Sequence, residues 1–246
     1  MAKIDDASNP VPELLDKDFK PNPYEPEVKF IDMTDEQSER IPRSRIRGGK
    51  TVMRDPSKVT GICVHQMAVI FGVSKRQLRE AGGDKDLAKA RRFMNVPAHG
   101  CASRDGFYVV HSPLEAYLHH GHEFNGMSLG LEIEGNYAGV EGKPSTAWKG
   151  AANAHTYTDK THEAAKACLK HLVEEGRKQG MPIKYIWAHR QTYRSKRGDP
   201  GGEIWRKLVL EYAVPVLGLE VQNDLTYRTG KPIPVEWDPE NGVGKY

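Results

Sequence analysis

The sequence is poor in cysteine: three occur in 246 residues, Cys63, Cys101 and Cys168, at wide and irregular spacing. An odd and scattered set makes a poor disulfide framework, so these residues read as reduced and structural. No Cys-x-x-Cys pair is present, which excludes a cysteine-based zinc knuckle. His-Glu-x-x-His and the His-x-Glu…Pro-Cys-x-x-Cys pattern are also missing, which removes the common zinc peptidases and the nucleobase deaminases. Ser103 lies outside any Gly-x-Ser-x-Gly context, so it has no support as a hydrolase nucleophile. No run of about 18 apolar residues occurs, and no membrane span is expected. The opening MAKIDDASNPVPELLDKDF lacks the apolar centre of a secretory signal, which predicts synthesis in the cytoplasm. A charge excess of one sign is missing too. The 36 basic and 33 acidic residues leave a formal +3, too mild to argue for nucleic acid as a partner.

What is present has a clear order. Residues 1–55 hold Pro10, Pro12, Pro21, Pro23 and Pro26 among many charges, which predicts an extended arm, surface loops or disorder. Val59–His65 (VTGICVH) is short, apolar and β-branched and reads as a buried strand. Residues Ser74–Asn95 read as one or two helices interrupted at Gly82-Gly83, with a basic face from Arg76 to Arg92 that reads as solvated. Arg104-Asp105-Gly106 is a turn before FYVVHS, which predicts a hairpin. In Ser128–Gly135 (SLGLEIEG) the strand period of two puts Leu129, Leu131 and Ile133 on one face and Glu132 and Glu134 on the other. Thr158–Gly180 is the clearest helix, with Ala165, Cys168, Leu169, Leu172 and Val173 at helical spacing, a threonine cap and a Gly180/Pro182 stop. A strand at Tyr185–Arg190 and a helix from about Glu203 to Leu217 follow. The expected fold is α/β: a single domain over 56–220 with a central mixed β-sheet flanked by helices, plus irregular N- and C-terminal extensions, the latter spanning 221–246. No internal repeat is found.

Three polar residues stand at or just beyond strand ends. His65 closes VTGICVH, His189 closes YIWAH, and Asp199 lies in KRGDPGG. Strand ends are rigid platforms, and two histidines with one carboxylate make a suitable set for catalytic zinc with one position left open. Taken singly, each residue also has a structural reading, a hydrogen-bonded histidine or a turn aspartate. His119, His120 and His122 form a further cluster, read as cleft wall and exposed imidazoles rather than a second metal site. Trp148, Tyr157 and Trp187 are candidates for stacking on sugar rings, with core packing favoured for Trp187.

The ordered set of His65, AHGCASRDG (Ala98–Gly106), HHG (His119–Gly121), SLGLEIEG, AHR (Ala188–Arg190) and KRGDPG (Lys196–Gly201) resembles the type-2 N-acetylmuramoyl-L-alanine amidases. That family includes phage endolysins, wall-recycling amidases and the animal peptidoglycan-recognition proteins. The resemblance covers roughly Val59 to Leu217, and the Gly-x-Glu-x-Glu-Gly strand is most similar to the recycling branch. It implies Zn2+ held by His65, His189 and Asp199, with Glu132 as the catalytic glutamate and its neighbour Glu134 in support or in substrate binding. It also implies that His99 and His119 lie on the cleft wall, in substrate contact or in support. Where the family commonly carries a lysine two residues before the third ligand, this chain has Arg197, with Lys196 just before it, so either cation is a candidate to hold the oxyanion. Where endolysin-like members have a tyrosine before the cleft histidine, this chain has Ala98.

The implied activity is hydrolysis of the amide between N-acetylmuramic acid and L-alanine, with peptidoglycan or a muropeptide as partner. The expected setting is phage-type lysis, acting on the periplasmic wall after release. Muropeptide recycling in the cytoplasm and a non-catalytic peptidoglycan-binding module are the alternatives. A monomer is slightly favoured.

Overall fold

The computed structural model describes residues 27–37, 46–47 and 50–246. The expected arm at residues 1–26 lies outside the described residues, as do 38–45 and 48–49. The rest of that stretch is not all loop. Strand β1 (Lys29–Asp32) is followed by one helical turn, α1 (Thr34–Gln37). Short strands β2 (Ile46–Arg47) and β3 (Lys50–Thr51) pair antiparallel as a separate two-stranded sheet.

The main sheet grows from β4 (Gly61–Gln66), buried along its whole length. Helices α2 (Lys75–Glu80) and α3 (Lys85–Phe93) come next. Gly82 and Gly83 separate them at φ of 63° and 89°, a region open to glycine at little cost. Each of these helices has its own start signal. Ser74 and Gln77 form a reciprocal capping box, and Asp84 accepts from the N–H groups of Asp86 and Leu87. Strands β5 (Gly100–Ala102) and β6 (Phe107–Val110) form the expected hairpin about Gly106. Then come β7 (Ser128–Ile133), α4 (Asp159–Lys178) capped by Thr158, and β8 (Tyr185–Ala188). The last helical stretch runs from α5 (Gly202–Ile204) through π-helical winding at Trp205–Ala213 into α6 (Val214–Leu217), and β9 (Glu220–Val221) completes the sheet.

The seven-stranded order is β1-β6-β5-β7-β4-β8-β9. Every neighbouring pair is parallel except the β5–β6 hairpin, so the sheet is mixed and its parallel centre is covered on both faces. The alternation of the strands decides what covers what. Ile62 and Val64 of β4, Leu129, Leu131 and Ile133 of β7, and Ile186 and Ala188 of β8 point to one face. There they meet Ala164, Ala165, Cys168, Leu169, Leu172 and Val173 of α4. Burying side chains of this size stabilises by about 1.5–3 kcal/mol each, which is why a helix of middling propensity holds its place.

The other face is divided. On the β5–β6 side, Phe93 and Met94 pack on Phe107, Val109 and Cys101. On the β8 side, Phe124 stacks on Trp187 at 4.8 Å, with Tyr227 edge-on. Between these two apolar blocks the middle strands carry polar residues at their C-terminal ends. That is where parallel sheets usually place ligands. All three cysteines are free and buried. No helix among the described residues is long and apolar enough to cross a membrane.

The extension after β9 is firmly packed. Ile233 and Trp237 are fully buried in the main core, and the Trp237 indole N–H donates to the Gly139 carbonyl. Its irregular, Pro- and Gly-rich sequence hides this, because two large apolar residues anchor it without any repeating pattern.

Candidate functional site

The parallel register places His65 directly beside Glu132 and Cys101 beside Glu132 on the other side, so all three project from the same face. Strand β8 brings His189 to the neighbouring strand end. The Nδ1 atoms of His65 and His189 lie 2.8 Å apart, and Asp199 Oδ2 lies 3.0 Å from the His189 Nδ1. All three side chains are buried, and their donor atoms fall within 4.8 Å of one another. The Gln66 N–H donates to Asp199 Oδ1 at 2.9 Å, which leaves Oδ2 directed at the histidine pair. A second group, Cys63, His65 and His120, is equally tight. It lacks a carboxylate oxygen, and burial pushes the Cys63 thiol up.

His120 supplies what fixes the geometry. Its Nε2 lies 3.2 Å from the Ser128 carbonyl, which only accepts, so Nε2 carries the proton. Nδ1 of His120 is then an acceptor, 3.1 Å from His65 Nε2. His65 must therefore carry its proton on Nε2, and its Nδ1 lone pair faces His189 and Asp199. Burial, with Arg54 and His189 nearby, lowers His120 to about 3, so the chain of neutral imidazoles stays intact over the ordinary pH range. His65 is held low by the same cause, burial first and then His189 and His120. Room for the His120 ring comes from Gly130, where an added Cβ would sit 2.8 Å from its Cγ.

Glu132 faces a cavity of about 1190 Å³ shared with His120, His189 and Asp199. Its Oε2 has no hydrogen-bond partner among the described residues. Burial raises its carboxyl to about 8, Asp199 adds to the rise, and Lys196 opposes it. Lys196 and Arg197 both line the cavity. Only Lys196 is close enough to act on Glu132 and His65, while Arg197 lies over the Tyr246 ring at 5.8 Å.

A family model described as N-acetylmuramoyl-L-alanine amidase matches residues 55–202, more than half of the chain. The chain belongs to that family. The matched span contains His65, Glu132, His189 and Asp199, all of the converging set. No curated protein matches the chain in sequence. Among solved structures it is similar to the N-acetylmuramoyl-L-alanine amidase LysC from Clostridium intestinale, at 16% identity over 74% of this chain and 98% of that one, with a TM-score of 0.43. It is also similar to Drosophila PGRP-LB, at 15% identity over 80% and 99%, with a TM-score of 0.48.

Within this amidase-family cleft the other expected residues separate. His119 is exposed and lines the cavity. His99 does not reach it. Its Nδ1 accepts from the Gly130 N–H at 2.9 Å and its Nε2 lies 3.0 Å from the Ala116 carbonyl, so both nitrogens are used and the ring is fully buried. Its place is support, beside His120, rather than substrate contact. Glu134 is likewise no substrate ligand. It is fully buried in an ion pair with Lys89 at 2.7 Å and accepts from the N–H groups of Phe71 and Arg104. The strand period put it beside Glu132, but the helix and loops that close over that strand end take up its charge. Tyr157 and Trp187 are buried, so of the three aromatic candidates only Trp148 lies open on the cavity wall.

Two contributors carried no legible signal. His120 read as one of three similar histidines, and only its burial singles it out. Arg54 falls in the stretch read as an arm. It nevertheless donates to the carbonyls of Leu114, Asn125 and Ser128 at 2.6–2.9 Å, tying down the segment that carries His120.

Proposed function

We propose that the protein is a zinc-dependent hydrolase of the amide bond between N-acetylmuramic acid and L-alanine in peptidoglycan, working as a lytic enzyme of the phage type. The observation that carries this reading is the convergence of His65, His189 and Asp199 beside the unpartnered carboxyl of Glu132 at the floor of one open cavity. The donor set suits zinc: two imidazole nitrogens and one carboxylate oxygen converge at the wall of an open cavity. Bound there, zinc polarises an amide carbonyl and lowers the pKa of water.

The chain's own residues do the rest. The His65–His120–Ser128 chain and the Gln66 N–H orient the ligands before anything binds. Glu132, with a free Oε2, takes a proton from the attacking water and hands it to the leaving nitrogen. A carboxyl that burial has made a stronger base is suited to both halves of that transfer. Lys196 faces the developing negative charge on the carbonyl oxygen. The cavity, at about 1190 Å³, exceeds the usual range for small-ligand pockets, which supports an extended glycopeptide substrate.

The test is a defined muramoyl-peptide incubated with zinc-loaded protein, with and without chelator. The expected result is chelator-sensitive appearance of a peptide with a free L-alanine amino group. A protein that holds zinc and binds the glycopeptide without cutting it would be a recognition module instead.

A further inference from the structure

The chain has four tryptophans, and three of them, Trp187, Trp205 and Trp237, are at most 1% exposed. Trp148 is 58% exposed and lines the cavity that holds Glu132. An exposed aromatic by itself is ordinary. This one stands on an unusually fixed base. Asn136, only 2% exposed, grips the Trp148 backbone from both sides: its Nδ2 donates to the Trp148 carbonyl at 2.8 Å and its Oδ1 accepts from the Trp148 N–H at 3.2 Å. The same Nδ2 also donates to the Asn153 carbonyl, closing the loop on itself. Asn136 follows shortly after the strand that carries Glu132, so the indole is tied to the same rigid element as the catalytic carboxyl.

The next residue adds two observations. The Lys149 ammonium sits 4.2 Å from the indole centroid. Lys149 also holds φ of +61°, a conformation that L side chains adopt at a cost. Of the four non-glycine residues with positive φ among the described residues, three line this cavity: Ala68, His122 and Lys149. Backbone held against its preference gathers at binding sites, where the surrounding structure enforces a shape.

We propose that Trp148 and Lys149 form a glycan subsite, in which the indole stacks on the C–H face of an N-acetylhexosamine ring and Lys149 donates to the ring's hydroxyl or acetamido oxygens. A pyranose presents a flat array of polarised C–H bonds, which the negative face of an indole attracts. A flexible peptide chain presents no comparable rigid array of C–H bonds. The assignment rests on the amidase reading for its choice of sugar, and the experiment keeps the two apart.

The Glu132→Gln protein is titrated with two probes. One is a peptide-free oligosaccharide of alternating N-acetylglucosamine and N-acetylmuramic acid, and the other is the free stem peptide. Because the other tryptophans are buried, acrylamide quenching of fluorescence reads Trp148 almost alone. The oligosaccharide should shift the emission to the blue and protect it from acrylamide, and the stem peptide should do neither. By calorimetry, adding Trp148→Ala should weaken oligosaccharide binding about tenfold, with Trp148→Phe recovering most of the loss. Protection by the stem peptide alone, or unchanged oligosaccharide affinity in Trp148→Ala, would overturn the subsite. Wild-type cleavage of an intact muramoyl-peptide is measured in parallel. Its failure removes the amidase reading, while sugar protection of Trp148 still decides the subsite.

Discussion

Replacing Glu132 with glutamine should cost turnover and, in the metal-free protein, gain stability that depends on pH. The folded carboxyl is raised from 4.5 to about 8, chiefly by burial. Below about pH 4.5 the group is protonated both folded and unfolded, and it contributes no difference. As pH rises from there to about 8, the unfolded chain releases this proton while the folded chain keeps it, and wild-type stability falls steadily. Above about 8 the penalty is complete. Each tenfold in proton affinity is worth about 1.4 kcal/mol, which sets a ceiling of about 5 kcal/mol. The carboxyl opens onto the cavity, and water there reduces the effect to about 2–3 kcal/mol. Glutamine keeps the shape and carries no charge, so it escapes the penalty. Urea denaturation in the presence of chelator should show the two proteins equal near pH 4.5 and Glu132→Gln more stable by that amount near pH 9. Zinc should shrink the gain, since a cation beside Glu132 favours its charged form. A difference independent of pH, or a less stable variant at pH 9, would refute the argument that Glu132 is a buried, unpartnered carboxyl.

The remaining expectations concern residues whose roles the structure separates. His120→Ala should leave the fold intact and weaken zinc binding about 10- to 100-fold in a competition with a chromophoric chelator, because His65 loses the partner that sets its tautomer. Lys196→Ala should lower kcat about 100- to 1000-fold, the effect of losing one oxyanion donor, while Arg197→Ala changes it by less than about tenfold. The reverse ranking would return the role to Arg197. Glu134→Gln should leave KM unchanged and destabilise by about 1.5–3 kcal/mol in denaturant, since it removes one of the two carboxylates that Lys89 meets, Asp105 at 2.9 Å being the other.

The parts of this molecule that a sequence shows are those set by period and punctuation. The α4 stripe, the Gly82-Gly83 break, the hairpin at Gly106 and the split faces of β7 all follow from spacing that each element must obey. His65 and His189 were legible because each stands at a strand end, while Glu132 and Asp199 entered through the order of the motifs and the family resemblance. The contributions of β1, Arg54 and the Trp237 extension were hidden for the opposite reason. A four-residue edge strand between charged segments has no period, and an arginine in irregular chain gives no hint of the three carbonyls it will meet. Glu134 and His99 show a further limit. Strand alternation predicts a face, but whether that face ends in solvent or under a helix depends on the partner, and Lys89 comes from a distant helix. His120 differs from His119 and His122 by burial alone.

The most direct test of the account is digestion of purified peptidoglycan sacculi by zinc-loaded protein, with chelated and Glu132→Gln controls and mass analysis of the released material. The account predicts free stem peptides beginning with L-alanine, glycan strands left intact, and no release in either control. Release of sugar fragments, or undiminished release from the Glu132→Gln protein, would contradict it.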